Sequence, residues 1–197
     1  MAKLGQTPSQ TVGPYFAYGL TPEQYGYDLA SIASGTLTRS DTEGDRIRIE
    51  GRVLDGEGNP VTDAMIEIWQ ADAAGRYAHP ADPRGSNATF KGFGRVGTGT
   101  DPEARFIFDT VKPGSVDGMQ APHVNVVVFM RGMLVHAFTR LYFSDEAAAN
   151  AGDPVLQSVP ADRRGTLIAG RHVTPTGVVY RFDIHMQGAE ETVFFDA

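Results

Sequence analysis

His123 and Asn125 stand two residues apart in the run APHVNVVVFM. The run reads as a strand, and side chains alternate across a strand, so both point to one face. A His-x-His pair on such a face places two imidazoles on one metal ion. Here the second position is a neutral amide, a poor donor to a hard cation such as ferric iron. Tyr77 in GRYAHP follows a turn, with His79 two residues on. A tyrosine near histidines is either a phenolate ligand or a half-buried aromatic with its hydroxyl on water. Arg131 sits where a strand pair turns. It is either a solvated turn residue or a fork that reads a carboxylate. His136, His172 and the last histidine, His185, carry no spacing that singles them out. There is no nucleophile elbow, P-loop or dinucleotide fingerprint. GFGRVGTGT is glycine-rich, but no helix follows it, so it reads as a flexible loop between strands rather than a phosphate cradle.

The elements that must position these residues are mostly strands. In residues 123–130 the other face carries Val124, Val126, Val128 and Met130, all apolar, and is expected in the core. HVNVVVFM, Arg131-Gly132 and MLVHAFTRLYF read as a long hairpin with a tight connection. RIRIEGRVLD and VTDAMIEIWQ alternate on either side of the turn cluster DGEGNP. ARFIFDTVKPG, VVYRFDIHM and ETVFF complete the strands. Helical signals are few: Ser144 as a cap for DEAAANA, and Pro160 near the start of a helix over ADRRGTLIAG. The expected fold is mainly β, a β-sandwich with one or two short helices over residues 46–197. Residues 1–45 read as an irregular arm of the same domain. Tyr15, Phe16, Tyr18, Tyr25 and Tyr27 make it too aromatic for a disordered tail. The arm packs either on its own domain or on a neighbouring chain.

The chain has 197 residues, 21% of them charged, a formal charge of −7 and a pI near 5.1. No stretch concentrates Lys and Arg, which argues against a nucleic-acid partner. No apolar run reaches membrane-spanning length, and the first residues lack the apolar segment of a secretory signal. Cysteine is absent, which removes thiolate chemistry and suits a reducing cytoplasm.

TPSQTVGPYF, IEIWQADAAGRYAHP, VKPG, APHVNV, TRLYFSDE, DPVL, TLIAGR and YRFDIHMQGAEETVFFDA, in this order, resemble the intradiol ring-cleaving dioxygenases over nearly the whole chain. The resemblance implies a β-sandwich and a non-haem Fe(III) centre, held in catalytic chains by two tyrosines and two histidines. Tyr77 and His123 match one of each. The second tyrosine is lost at Ser115/Val116 and the second histidine at Asn125, and Gln120 stands where catalytic chains carry an arginine. A phenolate and an imidazole alone are a weak pair for a trivalent ion. The resemblance therefore implies an α chain that binds no iron, paired with a β chain that does. The assembly would use O2 to cleave protocatechuate to 3-carboxy-cis,cis-muconate. By the same resemblance Gly13, Pro14, Tyr15 and Arg131 would bind substrate as part of the partner's pocket wall, and no residue of this chain alone would be catalytic. Two alternatives stay open: a self-sufficient catechol-type dioxygenase using Tyr142 or Tyr180 as a second phenolate, and a non-catalytic β-sandwich binding module.

Overall fold

A computed structural model describes residues 5–85 and 89–196. Its strands are β1 (Arg46–Leu54), β2 (Met65–Gln70), β3 (Phe93–Gly97), β4 (Arg105–Val111), β5 (His123–Phe129), β6 (Ala137–Phe143), β7 (Ile168–Thr174), β8 (Gly177–Arg181) and β9 (Ile184–His185). They hydrogen-bond in the order β3-β2-β5-β6-β7-β8-β1-β4, with β9 on β1. Pairing is parallel at β6/β7, β1/β8 and β1/β9 and antiparallel elsewhere. β7 makes the corner: Ile168 and Ala169 pair with β6, and Gly170 through Thr174 pair with β8. The path thus folds into two layers around one core, and its free ends meet. A Cβ on Gly94 of β3 would lie 3.0 Å from the Phe108 ring of β4. The expected mainly β sandwich is the observed architecture.

Alternation sets which side faces in. Ile47, Ile49, Phe106 and Phe108 point into the core, while their neighbours Arg48 and Asp109, paired across β1 and β4, form an outward salt bridge at 2.8 Å. On β5, Val124, Val126 and Val128 are at most 2% exposed, and Met130 packs against the same cluster. The expected inner face is correct.

Several local expectations fail for reasons of tertiary pairing. GFGRVGTGT contains β3, because its Arg95 finds Glu67 on β2 at 2.6 Å and its backbone completes the β2 edge. The β5–β6 connection is not tight: it spans residues 130–136, with Gly132 at φ +88°. RIRIEGRVLD and VTDAMIEIWQ do form the two expected strands, β1 and β2, which pair with different neighbours and lie in different layers. ADRRGTLIAG is a 3-10 turn over Arg164–Leu167 followed by the start of β7, since Ile168 and Ala169 extend the sheet. ETVFF forms one bridge, Phe195 to Phe138.

Among the described residues, α1 (Phe16–Leu20) lies in the arm, and the sandwich carries the expected one or two short helices as α2 (Ala147–Gly152) and α3 (Pro154–Ser158). Ser144 does not cap α2; its hydroxyl accepts from the Arg171 amide. The effective cap is Asp153, whose carboxylate accepts from Leu156 N ahead of Pro154 at the first turn of α3. In the arm, Ala17, Thr21, Ala33 and Leu37 are buried on the chain's own core, and Gln24 bonds both the N–H and the carbonyl of Gly97. Residues 5–15 are exposed, save for a half-buried Val12. Among the described residues no helix is long and apolar enough to cross a membrane.

Candidate functional site

The structure sorts the candidate residues to the two ends of β5. At its start, β5 lies between β2 and β6, which sets Asn125 opposite Trp69 on one side and Arg140 on the other. Tyr77 arrives on the loop after β2. Buried Asp72 shapes that loop by accepting from Ala74 N, Arg76 N and Arg76 Nε. Gly75 is required there: its φ is +77°, and a Cβ would fall 2.0 Å from the Ser115 carbonyl. This close approach brings the Tyr77 loop and the Ser115/Val116 loop together. The Tyr77 and Trp69 rings stack at 5.7 Å. With His79, Arg84, Val116 and Asp117 they line a cavity of about 780 Å³. Among the described residues the His79 ring bonds its own turn, accepting from Ala81 N at Nδ1.

Several polar atoms of this cluster bond one another or the nearby backbone. Asn125 Nδ2 donates to the Trp69 carbonyl at 3.2 Å and to the Tyr77 hydroxyl at 3.3 Å. His123 is 3% exposed, and its Nδ1 meets the Ala121 carbonyl at 2.8 Å, which makes Nδ1 the protonated nitrogen. Burial holds its imidazole below the ordinary pKa, and the Arg140 charge acts in the same direction. Burial pushes the Tyr77 phenol up, against the opposing pull of Asn125 and Arg140. Arg140 Nη1 donates to Gln120 Oε1 at 2.9 Å and to the Tyr142 hydroxyl at 3.4 Å. Ser115 Oγ donates to the Gln120 carbonyl, and Val116 offers no donor atom.

This set does not fit ferric iron. It supplies one imidazole and one phenol, an amide pointing its nitrogen at that phenol, and the cationic guanidinium of Arg140 opposite that amide. Neither further tyrosine makes up the loss. Tyr142 turns its hydroxyl to Asp153 at 3.2 Å, and its pKa is pushed up to about 12, chiefly by burial. Tyr180 lies in the other layer and donates to Asp145. Among the described residues no three acidic or histidine side chains gather as a metal cluster. Arg140 and Asp153 were not legible as members of this cluster. Arg140 reaches it only through the β5–β6 register.

At the other end of β5, about 20 Å away at the ~3.3 Å rise of a strand, lie the arm and the 130–136 loop. Thr11 Oγ1 accepts from Gly132 N at 2.9 Å, which joins the two. A groove of about 250 Å³ runs between them, lined by Gln10, Val12, Phe16, Phe129, Met133 and Leu134. Gly13, Pro14 and Tyr15 follow the joint and stand exposed, Tyr15 at 75%. Arg131 precedes it and forms an ion pair with Asp63 at 2.8 Å. His136 is exposed and packs against the Phe129 and Phe138 rings. The structure thus gathers Gly13, Pro14, Tyr15 and Arg131 at one end, and Tyr77, His123, Asn125 and Ser115/Val116 at the other.

A family model described as Dioxygenase matches residues 13–188. The chain is 58% identical, over all of both chains, to a protocatechuate 3,4-dioxygenase alpha chain of Burkholderia cepacia. It is 44% identical to one of Pseudomonas putida, covering 98% of this chain and 97% of that protein. A protocatechuate 3,4-dioxygenase beta chain of Burkholderia cepacia is 35% identical, over 82% of this chain and 72% of the beta chain. Among solved structures, the dioxygenase domain of a carbohydrate-binding fusion from Streptomyces sp. SirexAA-E superposes with a TM-score of 0.60 at 23% identity, covering 94% of this chain and all of that one. Family model, full-length relatives and fold agree, and the chain belongs to the intradiol dioxygenase family.

Proposed function

We propose that this chain is the α chain of a protocatechuate 3,4-dioxygenase, and that it works by walling the pocket of an iron-bearing β chain. One observation carries the reading. Among the described residues, the cluster where family ligands persist has closed on itself, while the arm and the 130–136 loop are joined by Thr11 and Gly132 and present exposed groups. An enzyme subunit that cannot hold its own metal contributes through what it offers a partner. The apolar groove, with Leu134 and Val135 about two-thirds exposed, has the character of a surface that another chain covers.

In this reading Fe(III) belongs to the β chain, and the substrates are protocatechuate and O2. Gly13 and Pro14 offer a compact backbone surface to the ring, since Pro holds φ fixed and Gly lets a ligand come close. Tyr15 anchors that turn edge-on against Tyr18, at 5.5 Å between ring centroids. Arg131 faces the substrate carboxylate. The lack of cysteine suits work in the cytoplasm.

Co-expression with a β chain, followed by metal analysis of each purified chain and of the complex, tests this. The expected result is iron and ring cleavage in the complex and in no preparation of this chain alone. One iron per chain, with a coloured tyrosinate spectrum and ring cleavage by the isolated chain, would overturn it.

A further inference from the structure

Asp63 lies in the turn just before β2, where the register of β2 against β5 sets Met65 beside Phe129 and so brings the turn under the 130–136 loop. Its side chain is 11% exposed, and both carboxylate oxygens are closed off from solvent. Among the described residues neither oxygen accepts a directed hydrogen bond. Its charged neighbour is Arg131, whose Nε lies 2.8 Å from Oδ2 while the rest of that side chain is 62% exposed.

Stability does not account for a carboxylate here. An ion pair with one exposed partner contributes little, and a buried carboxylate with unmet lone pairs is costly. Geometry does account for it. A guanidinium can meet a carboxylate along its Nε side or through its two terminal nitrogens. The Arg131 nitrogen nearest Asp63 is Nε, at 2.8 Å in an ion pair without a directed hydrogen bond, and the terminal nitrogens have no hydrogen-bond partner among the described residues. The Thr11 hydroxyl holds the next residue, Gly132, from the arm. The loop is thereby held from two sides, and a long, mostly exposed side chain is tethered at its Nε with its terminal nitrogens left for another group.

We propose that Asp63 is a positioning residue, which aims the terminal nitrogens of Arg131 at the carboxylate of the aromatic substrate in the assembled enzyme. This rests on the reading of Arg131 given above. The opposite role for Asp63, cancelling the Arg131 charge, makes the opposite prediction: removing it would tighten binding of an anion.

The test is steady-state kinetics of the co-purified αβ enzyme with protocatechuate and with catechol, which lacks the carboxylate, together with thermal denaturation. The variants are Asp63→Asn, Asp63→Glu, Arg131→Ala and the double variant Asp63→Asn/Arg131→Ala. Asp63→Asn should raise KM for protocatechuate by about fivefold to tenfold, the effect of misaligning one charge-assisted contact. It should leave kcat, KM for catechol and the melting temperature near the parent values. Asp63→Glu should recover part of the loss, and Asp63→Asn should add nothing in the Arg131→Ala background. An unchanged or lowered KM in Asp63→Asn, while Arg131→Ala raises it, overturns the positioning role alone. Full additivity in the double variant, or an equal rise in KM for catechol, overturns it as well. If Arg131→Ala leaves KM for both substrates unchanged, the reading of Arg131 fails, and the positioning role with it.

Discussion

At the start of β5 the polar side chains turn toward one another, whereas past its end the chain turns polar and apolar groups outward. His123, Asn125, Tyr77, Arg140, Gln120 and Tyr142 form a closed set in which amide, phenol and guanidinium find partners inside the chain. Arg131, Tyr15, Leu134 and Val135 are mostly exposed. The two ends share one strand and one inner face, so the fold does not impose the difference. It follows from what each end must satisfy. Buried polar groups with no metal to meet must be paired internally. In the proposed reading the groups past the end of β5 meet a second chain, and such groups can be left unpaired in the first.

The largest effect should come from breaking the frame that both ends share. Val126→Asp buries an unpaired charge in the core and should cost about 4 kcal/mol or more, enough to unfold a marginal domain. Val126→Ala should cost about 1–3 kcal/mol through lost burial and a residual cavity. Chemical denaturation of the isolated chain measures both. If Val126→Asp melts like the parent, the register of β5 is wrong by one residue, and so is the assignment of every group at either end.

Next is a variant confined to the closed end. Gly75→Val puts a side chain where φ is +77° and the Ser115 carbonyl is already in contact, and should cost about 2–4 kcal/mol. The same variant, assembled with a β chain below its melting temperature, should keep the parent kcat/KM. Loss of ring cleavage in a folded complex would show that the closed end takes part in the reaction after all.

The open end should respond in the reverse sense. Deleting residues 1–15 should leave the melting temperature nearly unchanged, because residues 5–15 are exposed save for a half-buried Val12. It should lower kcat/KM of the assembled enzyme roughly tenfold, or about 1.4 kcal/mol in transition-state binding, while the β chain keeps its iron. Gly13→Trp should raise KM by crowding the ring. A deletion that unfolds the sandwich, or that changes neither constant, would erase the contrast between the ends.

The smallest effect is a pH signature of the closed end. Tyr142 has a folded pKa of about 12, raised first by burial, against about 10 in an unfolded chain. The folded state then holds a proton that the unfolded state releases. The stabilisation from this group is complete below pH 10 and falls away as pH rises toward 12. Tyr142→Phe should flatten the alkaline loss of stability between those values. An equally steep loss in the variant would place the titrating group elsewhere.

Part of this protein is legible in one dimension. Alternation in HVNVVVFM marks the inner face of β5, because pleating is a local property and needs only the next residue but one. The lack of the family's second tyrosine at Ser115/Val116 and second histidine at Asn125 is read from the family resemblance, and a phenolate and an imidazole alone are a weak pair for a trivalent cation. The grouping of Tyr77 with His123, and of the arm with Arg131, followed from family resemblance rather than from spacing. Tertiary structure alone decided the rest. β3 looks like a glycine-rich loop until β2 lends it a ladder and Glu67 meets Arg95. Arg140 is an ordinary strand residue until antiparallel register sets it opposite Asn125. Asp63 belongs to an unremarkable turn until β2 and β5 pair and carry Arg131 within 2.8 Å of it. Each of these joins residues from separate segments of the chain. Strand register and salt-bridge partners are set by through-space packing of such segments, which local periodicity does not encode.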